Sequence, residues 1–447
     1  MKIAQFSRFG FMISAVGAAV GLGNIWKFPY ITGEYGGGAF VLVYLITVML
    51  VGFSVMIAEM LIGYLGRRDC NTNFEHLAPR HKKLWKHAGW MAVTSTLVMM
   101  YYSVVIGWIL NYIVVASTHL PASIAEAETT FNAMLKQGAG TQIFYHTIAF
   151  LITTVVVAKG IKGGIEKFNM VLMPLLIVIL SIMFAYAMTM DSFSQAASYM
   201  FAADWSKLNS EAFAVAVGHA FFTLSLGYGS IMIYSASLPK GGNIVHSTLF
   251  VIAGDTLIAL MAGMVLFTFL FQYGAEPAKG PGLVFISLPA VFYAMGTIGS
   301  IFAVLFFIAL AFAGLTSAVS LVEPMVQYLI DKYDMTRVKA AVIIGLVFYL
   351  FGIVAILSQI EWSAAYLTWG GKNFFDWMDY LTSSVLLPIA GLIMAIFVGY
   401  VIEKERVASA LKHQLGRFFE LWYFSIRYIA PVALVLVMLN LTGIITF

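Results

Sequence analysis

Apolar runs long enough to cross a membrane recur along most of this chain, with short polar segments between them. A transmembrane helix needs roughly 20 consecutive, mostly apolar residues. Candidate spans lie at 9–32, 38–63, 88–116, 142–158, 168–190, 212–235, 246–272, 298–330, 338–358, 374–400 and 422–446. The pattern predicts an all-α membrane protein with about 11 transmembrane helices in a single domain over residues 1–447.

The composition excludes several other classes of protein. Of the 447 residues, 61% are hydrophobic and 10% are charged, whereas soluble domains are about 25% charged. The net charge of +4 is small and the basic residues lie between apolar runs, so we expect a lipid bilayer and no nucleic acid as partner. A single cysteine, Cys70, rules out an intrachain disulfide and a metal site of several cysteines.

Basic residues collect in alternate connections between the spans. Segment 64–87 carries six of them, whereas the stretches 117–141 and 273–297 on the opposite side carry one each. Cytoplasmic connections are enriched in lysine and arginine, so we place segment 64–87 and the N-terminus in the cytoplasm. An odd number of spans then puts the C-terminus outside. We expect the two long outer stretches to cover a site as lids.

The first and sixth spans each carry glycines beside hydrogen-bonding side chains at mid-span. The first contains GAAVGLGN at 17–24 and the sixth contains FTLSLGYGS at 222–230. Glycine weakens a helix interior, and unwound backbone inside a membrane is tolerated only where it is buried or lines a cavity. We predict discontinuous helices at both places. The alternative for Gly17 and Gly21 alone is close packing of two helices through small residues.

The positions of these two spans suggest an internal repeat. Two five-helix halves, 1–190 and 212–400, would each begin with an interrupted helix and would face opposite ways, because five is odd. The remaining segment, 422–446, would be an additional eleventh helix. Inverted repeats with interrupted helices are typical of secondary transporters. The exposed helix N-termini would attract a carboxylate, and the freed carbonyls would hold a cation.

Three separated motifs resemble one known family. AVGLGNIWKFPY at 19–30, followed by GGGAF at 36–40, is similar to the signature of the neurotransmitter:sodium symporters. FTLSLG at 222–227 and AGLTS at 313–317 are similar to the family's sixth- and eighth-helix motifs. The resemblance implies a ten-helix pseudo-symmetric core, sodium-coupled uptake by alternating access, and no enzyme activity. Eleven spans resemble its bacterial members, which implies the bacterial cytoplasmic (inner) membrane.

The resemblance implies two sodium sites. The first would use the backbone of Gly17, Val20 and Ala313 with the hydroxyls of Thr316 and Ser317. The second would use the Ala19 carbonyl, the Asn24 side chain, Thr223 and Asp255. The alternative for Thr316 and Ser317 is a hydrogen bond from each hydroxyl to the preceding helical turn.

Two residues near the second sodium site depart from the family pattern. Asp255 stands where a leucine-transporting bacterial member has asparagine, and His219 stands where the family commonly has glutamine. Chloride-dependent members bind the anion nearby, and Asp255 would supply that negative charge permanently. We therefore predict that chloride is not required. His219 has two open interpretations, an interior histidine with its hydrogen bonds satisfied and a proton-transferring group.

The substrate would lie between the two breaks. Its carboxylate would meet the amides near Leu22 and Gly23 and the Tyr102 hydroxyl, and its amine would meet nearby carbonyls. Monoamine carriers have an aspartate where Gly21 stands, and its absence favours a substrate that brings its own carboxylate. None of the expected side-chain pocket residues could pair a charged side chain, so a neutral, hydrophobic amino acid fits best, and another small zwitterion is the alternative. The predicted substrate residues are Ala18, Ala19, Leu22, Gly23, Val98, Tyr102, Phe222, Thr223, Ser225, Tyr228, Ser317, Ala318 and Leu321.

The resemblance also implies gates. The outer ion pair would be Lys27 and Asp379, above an aromatic lid of Phe222 and Tyr102. Lysine lacks the planar fork of the family's arginine, so a bidentate clamp is not available. The inner pair would be Lys2 and Asp331.

Two further carboxylates lie in the apolar spans. Glu59, in the second span, resembles a family carboxylate that braces the broken helices. Glu323 is a charged residue in the eighth span for which the sequence names no partner.

Two other functional classes remain to be weighed. A cation channel could also use carbonyl sites at broken helices, but channels usually repeat a pore motif by oligomerisation. An intramembrane enzyme is the weaker alternative, because the sequence contains neither a G-x-S-x-G elbow nor an H-E-x-x-H motif.

Overall fold

The computed structural model describes residues 5–275 and 280–445, and helices make up nearly all of its regular structure. The only two strands in these ranges, β1 (Thr368–Trp369) and β2 (Lys372–Asn373), form one antiparallel hairpin. The main helices, numbered in chain order, are α1 Arg8–Ala19, α2 Gly23–Glu34, α3 Gly38–Gly66, α4 Cys70–Leu77, α5 Lys82–Thr118, α6 Ile124–Gln137, α7 Ala139–Ala158, α8 Ile161–Ala187, α9 Phe193–Phe201, α10 Ser210–Thr223, α11 Ser230–Ala236, α12 Ile244–Gln272, α13 Leu283–Ala294, α14 Gly296–Tyr333, α15 Arg337–Leu357, α16 Phe374–Val401 and α17 Lys404–Leu441.

Within the described ranges, nine helices are long and apolar enough to cross a membrane: α3, α5, α7, α8, α12, α14, α15, α16 and α17. The pair α1 and α2, bent by 52°, makes a tenth candidate. The predicted sixth span consists of two short helices, α10 and α11, so 11 spans are reached only if these two cross together. The last span also differs from its prediction, because α17 begins at Lys404 rather than at 422.

The two interrupted spans lie at the centre of the bundle. From Ile13 onward, every residue of α1 is buried, and so is every residue of α11. Long helices surround them: α1 packs against α8, α12 and α14, and α11 packs against α3. At Gly63 of α3 an added Cβ would overlap the Met232 carbonyl of α11, so this contact requires glycine. Burial on all sides meets the condition under which unwound backbone is tolerated in a membrane.

Helices on the outside of the bundle show the opposite pattern of burial. On α8, Val171 is 56% exposed and Val178 is 53% exposed in the isolated chain. Exposed large apolar residues on a helix of this hydropathy are expected to contact acyl chains. The two stretches predicted to lie outside, 117–141 and 273–297, contain helices α6 and α13, whose Phe131 and Phe285 rings stack at 5.0 Å. The structure therefore places a two-helix cover above the central bundle.

Candidate functional site

The first span unwinds where the glycine pattern predicts it. Helix α1 ends at Ala19, α2 begins at Gly23, and residues 20–22 lie outside both helices. The side chain of Asn24 folds back over the gap, and its Oδ1 accepts a hydrogen bond from the Gly21 amide at 2.9 Å. This bond satisfies one amide that the break removes from the helix ladder. The neighbouring carbonyls are released from the helix ladder and can accept from side chains of other helices.

The second break is wider and has an unusual backbone. Ser225, Gly227 and Gly229 have φ values of +52°, +86° and +78°, the left-handed region that favours glycine. The fully buried Glu59 carboxylate of α3 accepts hydrogen bonds from the amides of Gly227 at 3.1 Å and Met232 at 3.3 Å. Glu59 thus binds one amide within the second break and one in α11, as expected of a carboxylate that braces a broken helix.

The two breaks are joined to each other and to α14 through carbonyl oxygens of α1. The Ser225 hydroxyl donates to the Ala18 carbonyl at 2.6 Å. The Ser317 hydroxyl of α14 lies 3.3 Å from the Gly17 carbonyl and 3.1 Å from the Val20 carbonyl. One hydroxyl proton can serve only one of these acceptors at a time, so the oxygens form a concentrated, electron-rich group.

The oxygens around Ser317 have the character of a hard-cation site. They include most of the groups predicted for the first sodium site. Thr316 differs, because its hydroxyl is 2.9 Å from the Phe312 carbonyl and 3.1 Å from the Ala313 carbonyl of its own helix. This geometry matches the alternative interpretation of Thr316 and not that of Ser317. In residues 5–275 and 280–445, no three His, Cys, Asp or Glu side chains cluster as a transition-metal site would require.

The second predicted sodium site centres on a carboxylate. Asp255 of α12 is fully buried, and its Oδ1 accepts from the Asn24 amide at 2.7 Å and the Thr223 hydroxyl at 3.0 Å. The Tyr44 hydroxyl is 3.4 Å from Oδ2. The structure thus brings Asp255, Asn24 and Thr223 together, and Ala19 lines the same small cavity as the latter two. A buried carboxylate usually neutralises a cation or is itself protonated.

A small cavity lies between the two breaks, and it contains most of the predicted substrate residues. Its volume is about 20 Å³. Ala18 and Ala318 are buried but do not line it, whereas Gly21 and Asn24 line it in addition to the predicted residues. The residues on its wall are Ala19, Gly21, Leu22, Gly23, Asn24, Val98, Tyr102, Phe222, Thr223, Ser225, Tyr228, Ser317 and Leu321.

A larger cavity of about 520 Å³ lies on the other side of three of these side chains. Leu22, Tyr102 and Phe222 line both cavities and so separate them. The Leu22 amide donates to the Tyr102 hydroxyl at 3.4 Å. This hydrogen bond attaches Tyr102, one of the three separating side chains, to the first break. The larger cavity also carries Glu128 and Asp376, two carboxylates that the sequence analysis did not single out.

The predicted outer gate pair faces the larger cavity without closing it. Lys27 and Asp379 both line its wall. The Lys27 ammonium lies 4.9 Å from the centre of the Phe222 ring, while Asp379 accepts from the Ser383 hydroxyl at 3.1 Å. In the described part of the chain the two form no ion pair, so the lysine contacts the aromatic lid rather than the aspartate.

The predicted inner gate is only partly within the described residues, because Lys2 lies outside them. Asp331 accepts hydrogen bonds from the Asp69 amide and from the Gln327 side chain, both at 3.0 Å. The first of these bonds fixes the start of α4, since Asp69 is its N-cap residue. Asp331 therefore has a structural role that the sequence analysis did not foresee.

The sequence analysis named no partner for two buried side chains, Glu323 and His219. The structure shows a charged partner for Glu323 and aromatic neighbours for His219. Glu323 pairs with the Arg337 guanidinium of α15, which also donates to the Val157 carbonyl at 2.8 Å. His219 packs between aromatic rings, 5.7 Å from Phe28 and 5.5 Å from Tyr44. Neither ring nitrogen of His219 has a hydrogen-bond partner among the described residues.

Comparison with known proteins shows the family to which the chain belongs. Residues 4–142 and 134–447 match the model of the Sodium:neurotransmitter symporter family. The chain belongs to this family. The match covers almost the whole chain and confirms the resemblance that the three motifs indicate. The family consists of sodium-dependent secondary transporters and not of enzymes, so the protein is a membrane transporter.

Relatives of this symporter support the same assignment over the full length. YhdH, a sodium-dependent transporter of Bacillus subtilis (strain 168), is 34% identical over 99% of this chain and 98% of its own length. A sodium-dependent transporter of Haemophilus influenzae is 32% identical over 97% of both chains. The crystal structure of MhsT in complex with L-phenylalanine is 37% identical and has a TM-score of 0.89, covering 99% of this chain and 100% of MhsT. The shared fold confirms the all-α class with interrupted first and sixth helices.

Proposed function

We propose that this protein couples the entry of sodium to the uptake of a neutral, hydrophobic amino acid by alternating access. The observation that carries the proposal is the cavity between the two breaks. Backbone carbonyls and amides of the two breaks meet there with five hydroxyl-bearing side chains, beside the buried Asp255 carboxylate; the hydroxyls belong to Tyr102, Thr223, Ser225, Tyr228 and Ser317. A zwitterion needs donors for its carboxylate and acceptors for its amine, and the two breaks supply them on opposite walls.

The cavity wall favours a substrate with an uncharged side chain. None of the residues lining it carries a charge. Gly21 offers no carboxylate to a substrate amine, and a Cβ added there would be in tight contact with the Ser317 hydroxyl at 3.0 Å and the Tyr102 hydroxyl at 3.1 Å. The amine must therefore bind backbone oxygens, and the α-carboxylate is the natural anion for the Leu22 amide. Val98, Tyr228 and Leu321 offer apolar surface for the side chain.

Two sodium ions are proposed as co-substrates, one at Ser317 and one at Asp255. The Asp255 carboxylate supports transport without chloride, because it supplies a fixed negative charge where chloride-dependent members need an anion. The proposed membrane is the bacterial cytoplasmic one, with the N-terminus inside and the C-terminus outside. MhsT binds L-phenylalanine in its crystal structure, which favours the hydrophobic members among neutral amino acids.

Reconstituted protein tests the proposal. Liposomes with the purified protein should accumulate a labelled hydrophobic amino acid when sodium is outside and potassium inside, and should lose this uptake when choline replaces sodium. Unlabelled amino acid inside the liposomes should accelerate entry of the label by counterflow. A current carried by sodium without any amino acid, and no counterflow for any of the 20 amino acids, would favour the channel alternative instead.

A further inference from the structure

The start of α1, at the end away from the break, is held by a carboxylate from a distant helix. Ser7 is the N-cap residue of α1, and its hydroxyl accepts from the Gly10 amide at 2.9 Å. The Ser7 amide donates to the Glu166 carboxylate at 3.2 and 3.4 Å, and the Ser7 hydroxyl donates to the same carboxylate. Glu166 lies in the first turns of α8, 159 residues further along the chain.

Gly10 shows how closely α1 and α8 approach at this point. The three atoms nearest to a Cβ added there would all belong to the Glu166 side chain, and the Cβ would overlap the carboxylate. The Glu166 side chain therefore occupies the space that any other residue at position 10 would need. Only glycine leaves both the cap and the carboxylate in place.

The residue before Ser7 binds a second element. The Phe6 amide donates to the Ser237 carbonyl, at the end of α11, at 3.1 Å. The buried Phe6 ring packs edge-on against Tyr234 of α11 at 5.2 Å. Residues 6 and 7 thus tie α1 both to α8 and to the inner half of the sixth span. We call Phe6, Ser7, Gly10, Glu166 and Ser237 the clasp.

The break at residues 20–22 frees α1 to tilt against α2, and the clasp opposes that tilt. Ser7 is exposed, whereas Glu166 is 4% exposed, so water can reach and replace the serine when α1 moves. In the described residues, Glu166 forms no ion pair, so breaking the clasp leaves no cation buried without its partner. Neutral donors on a carboxylate suit a contact that must form and break in each cycle.

We propose that the clasp keeps the cytoplasmic path to the cavity closed, with Glu166 as a positioning residue that acts through Ser7. The proposal rests on alternating access as the proposed mode of transport. It adds a closing contact to the inner pair of Lys2 and Asp331, on a helix to which the sequence analysis assigned no gate. Loss of the clasp should shift the protein towards a state that is open to the cytoplasm.

Chemical labelling of a reporter cysteine tests the clasp. Ser14 is fully buried on α1 between the clasp and the break. In a Cys70→Ala, Ser14→Cys background, we expect Ser7→Ala, Gly10→Ala and Glu166→Ala each to raise the labelling rate from the cytoplasmic side about tenfold, as expected for a lost charge-assisted hydrogen bond. Combining Ser7→Ala with Glu166→Ala should raise the rate by less than the product of the two separate effects, because both changes remove the contact between the Ser7 hydroxyl and the Glu166 carboxylate.

Matched controls separate the clasp from general loosening. Ser123→Ala removes another serine N-cap, that of α6, and Gly163→Ala adds a methyl where no atom lies within 4 Å. Neither should change the labelling rate. Unchanged labelling in well-folded Ser7→Ala and Gly10→Ala proteins, or rates that multiply in the double variant, would overturn the proposal. The labelling assay needs neither amino acid nor uptake. The clasp proposal can therefore fail while the symport proposal stands, and the symport proposal can fail while the clasp proposal stands.

Discussion

The two predicted sodium sites lie on opposite sides of the first break and are built from different chemistry. Beside α14, Ser317 meets backbone carbonyls, and every oxygen is neutral. Beside α12, the buried Asp255 carboxylate gathers Asn24, Thr223 and Tyr44, and it carries a full negative charge when it is deprotonated. A cation at the first site relies on dipoles alone, whereas a cation at the second is balanced by the protein. The comparison predicts that the second site is the more sensitive to substitution.

The largest effect should come from Asp255→Ala. The change removes the charge and leaves the Asn24 and Thr223 groups without their acceptor. Contacts to a buried charge are worth up to about 3 kcal/mol, so sodium affinity should fall about 100-fold. Sodium titration of amino-acid binding measures the change. An affinity within twofold of wild type would remove Asp255 from the site, and Asp255→Asn separates loss of charge from loss of the oxygen.

Ser317→Ala should have a smaller effect on the same titration. A neutral hydroxyl contributes about 1 kcal/mol, so the sodium affinity should fall about fivefold. Ser320→Ala is a matched control one helical turn further on, where the hydroxyl donates to the Ser317 carbonyl of its own helix. If Ser317→Ala costs as much as Asp255→Ala, the two sites do not differ in the way that their charges suggest.

Thr316→Val should change the titration less than Ser317→Ala does. The Thr316 hydroxyl already donates within its own helix, to Phe312 or Ala313, and valine keeps its shape. We expect at most about a twofold loss, since an exchange of a back-bonded hydroxyl for a methyl is close to neutral. A loss above tenfold would show instead that Thr316 turns towards the cation when it binds.

The smallest expected effect is that of chloride. Replacing chloride by gluconate should leave uptake by the wild-type protein unchanged, because Asp255 supplies the negative charge. The matched variant is Asp255→Asn, in which any uptake that remains should become stimulated by chloride. Full loss of wild-type uptake in gluconate would refute chloride independence.

Local signals in the sequence predicted the two breaks well. Clustered glycines beside polar residues coincide with unwound backbone at both predicted places, since residues 20–22 and 224–229 lie outside the helices. A single glycine beside a polar residue does not suffice, because Gly254 and Asp255 lie within the unbroken α12. The cavity residues came from the family resemblance, since nothing in the spacing alone brings Val98 or Leu321 to the breaks. The bounds of the two halves, 1–190 and 212–400, remain predictions.

The features that the sequence analysis did not predict are long-range contacts between helices. Glu166 lies in a basic connection and carries no motif, so its pairing with Ser7 follows only from how α8 packs on α1. The Arg337 partner of Glu323 depends in the same way on the meeting of α14 and α15. The separation of Lys27 from Asp379 reflects lysine's freedom to reach the Phe222 ring instead.

Equilibrium binding of a labelled hydrophobic amino acid to the purified protein, titrated with sodium at constant ionic strength, tests the central claim most directly. The account predicts one amino acid per chain and a sodium dependence steeper than that of a single ion, with no binding in potassium. Equal affinity in potassium and sodium would contradict it, because the free oxygens of the two breaks would then not be holding sodium beside the substrate.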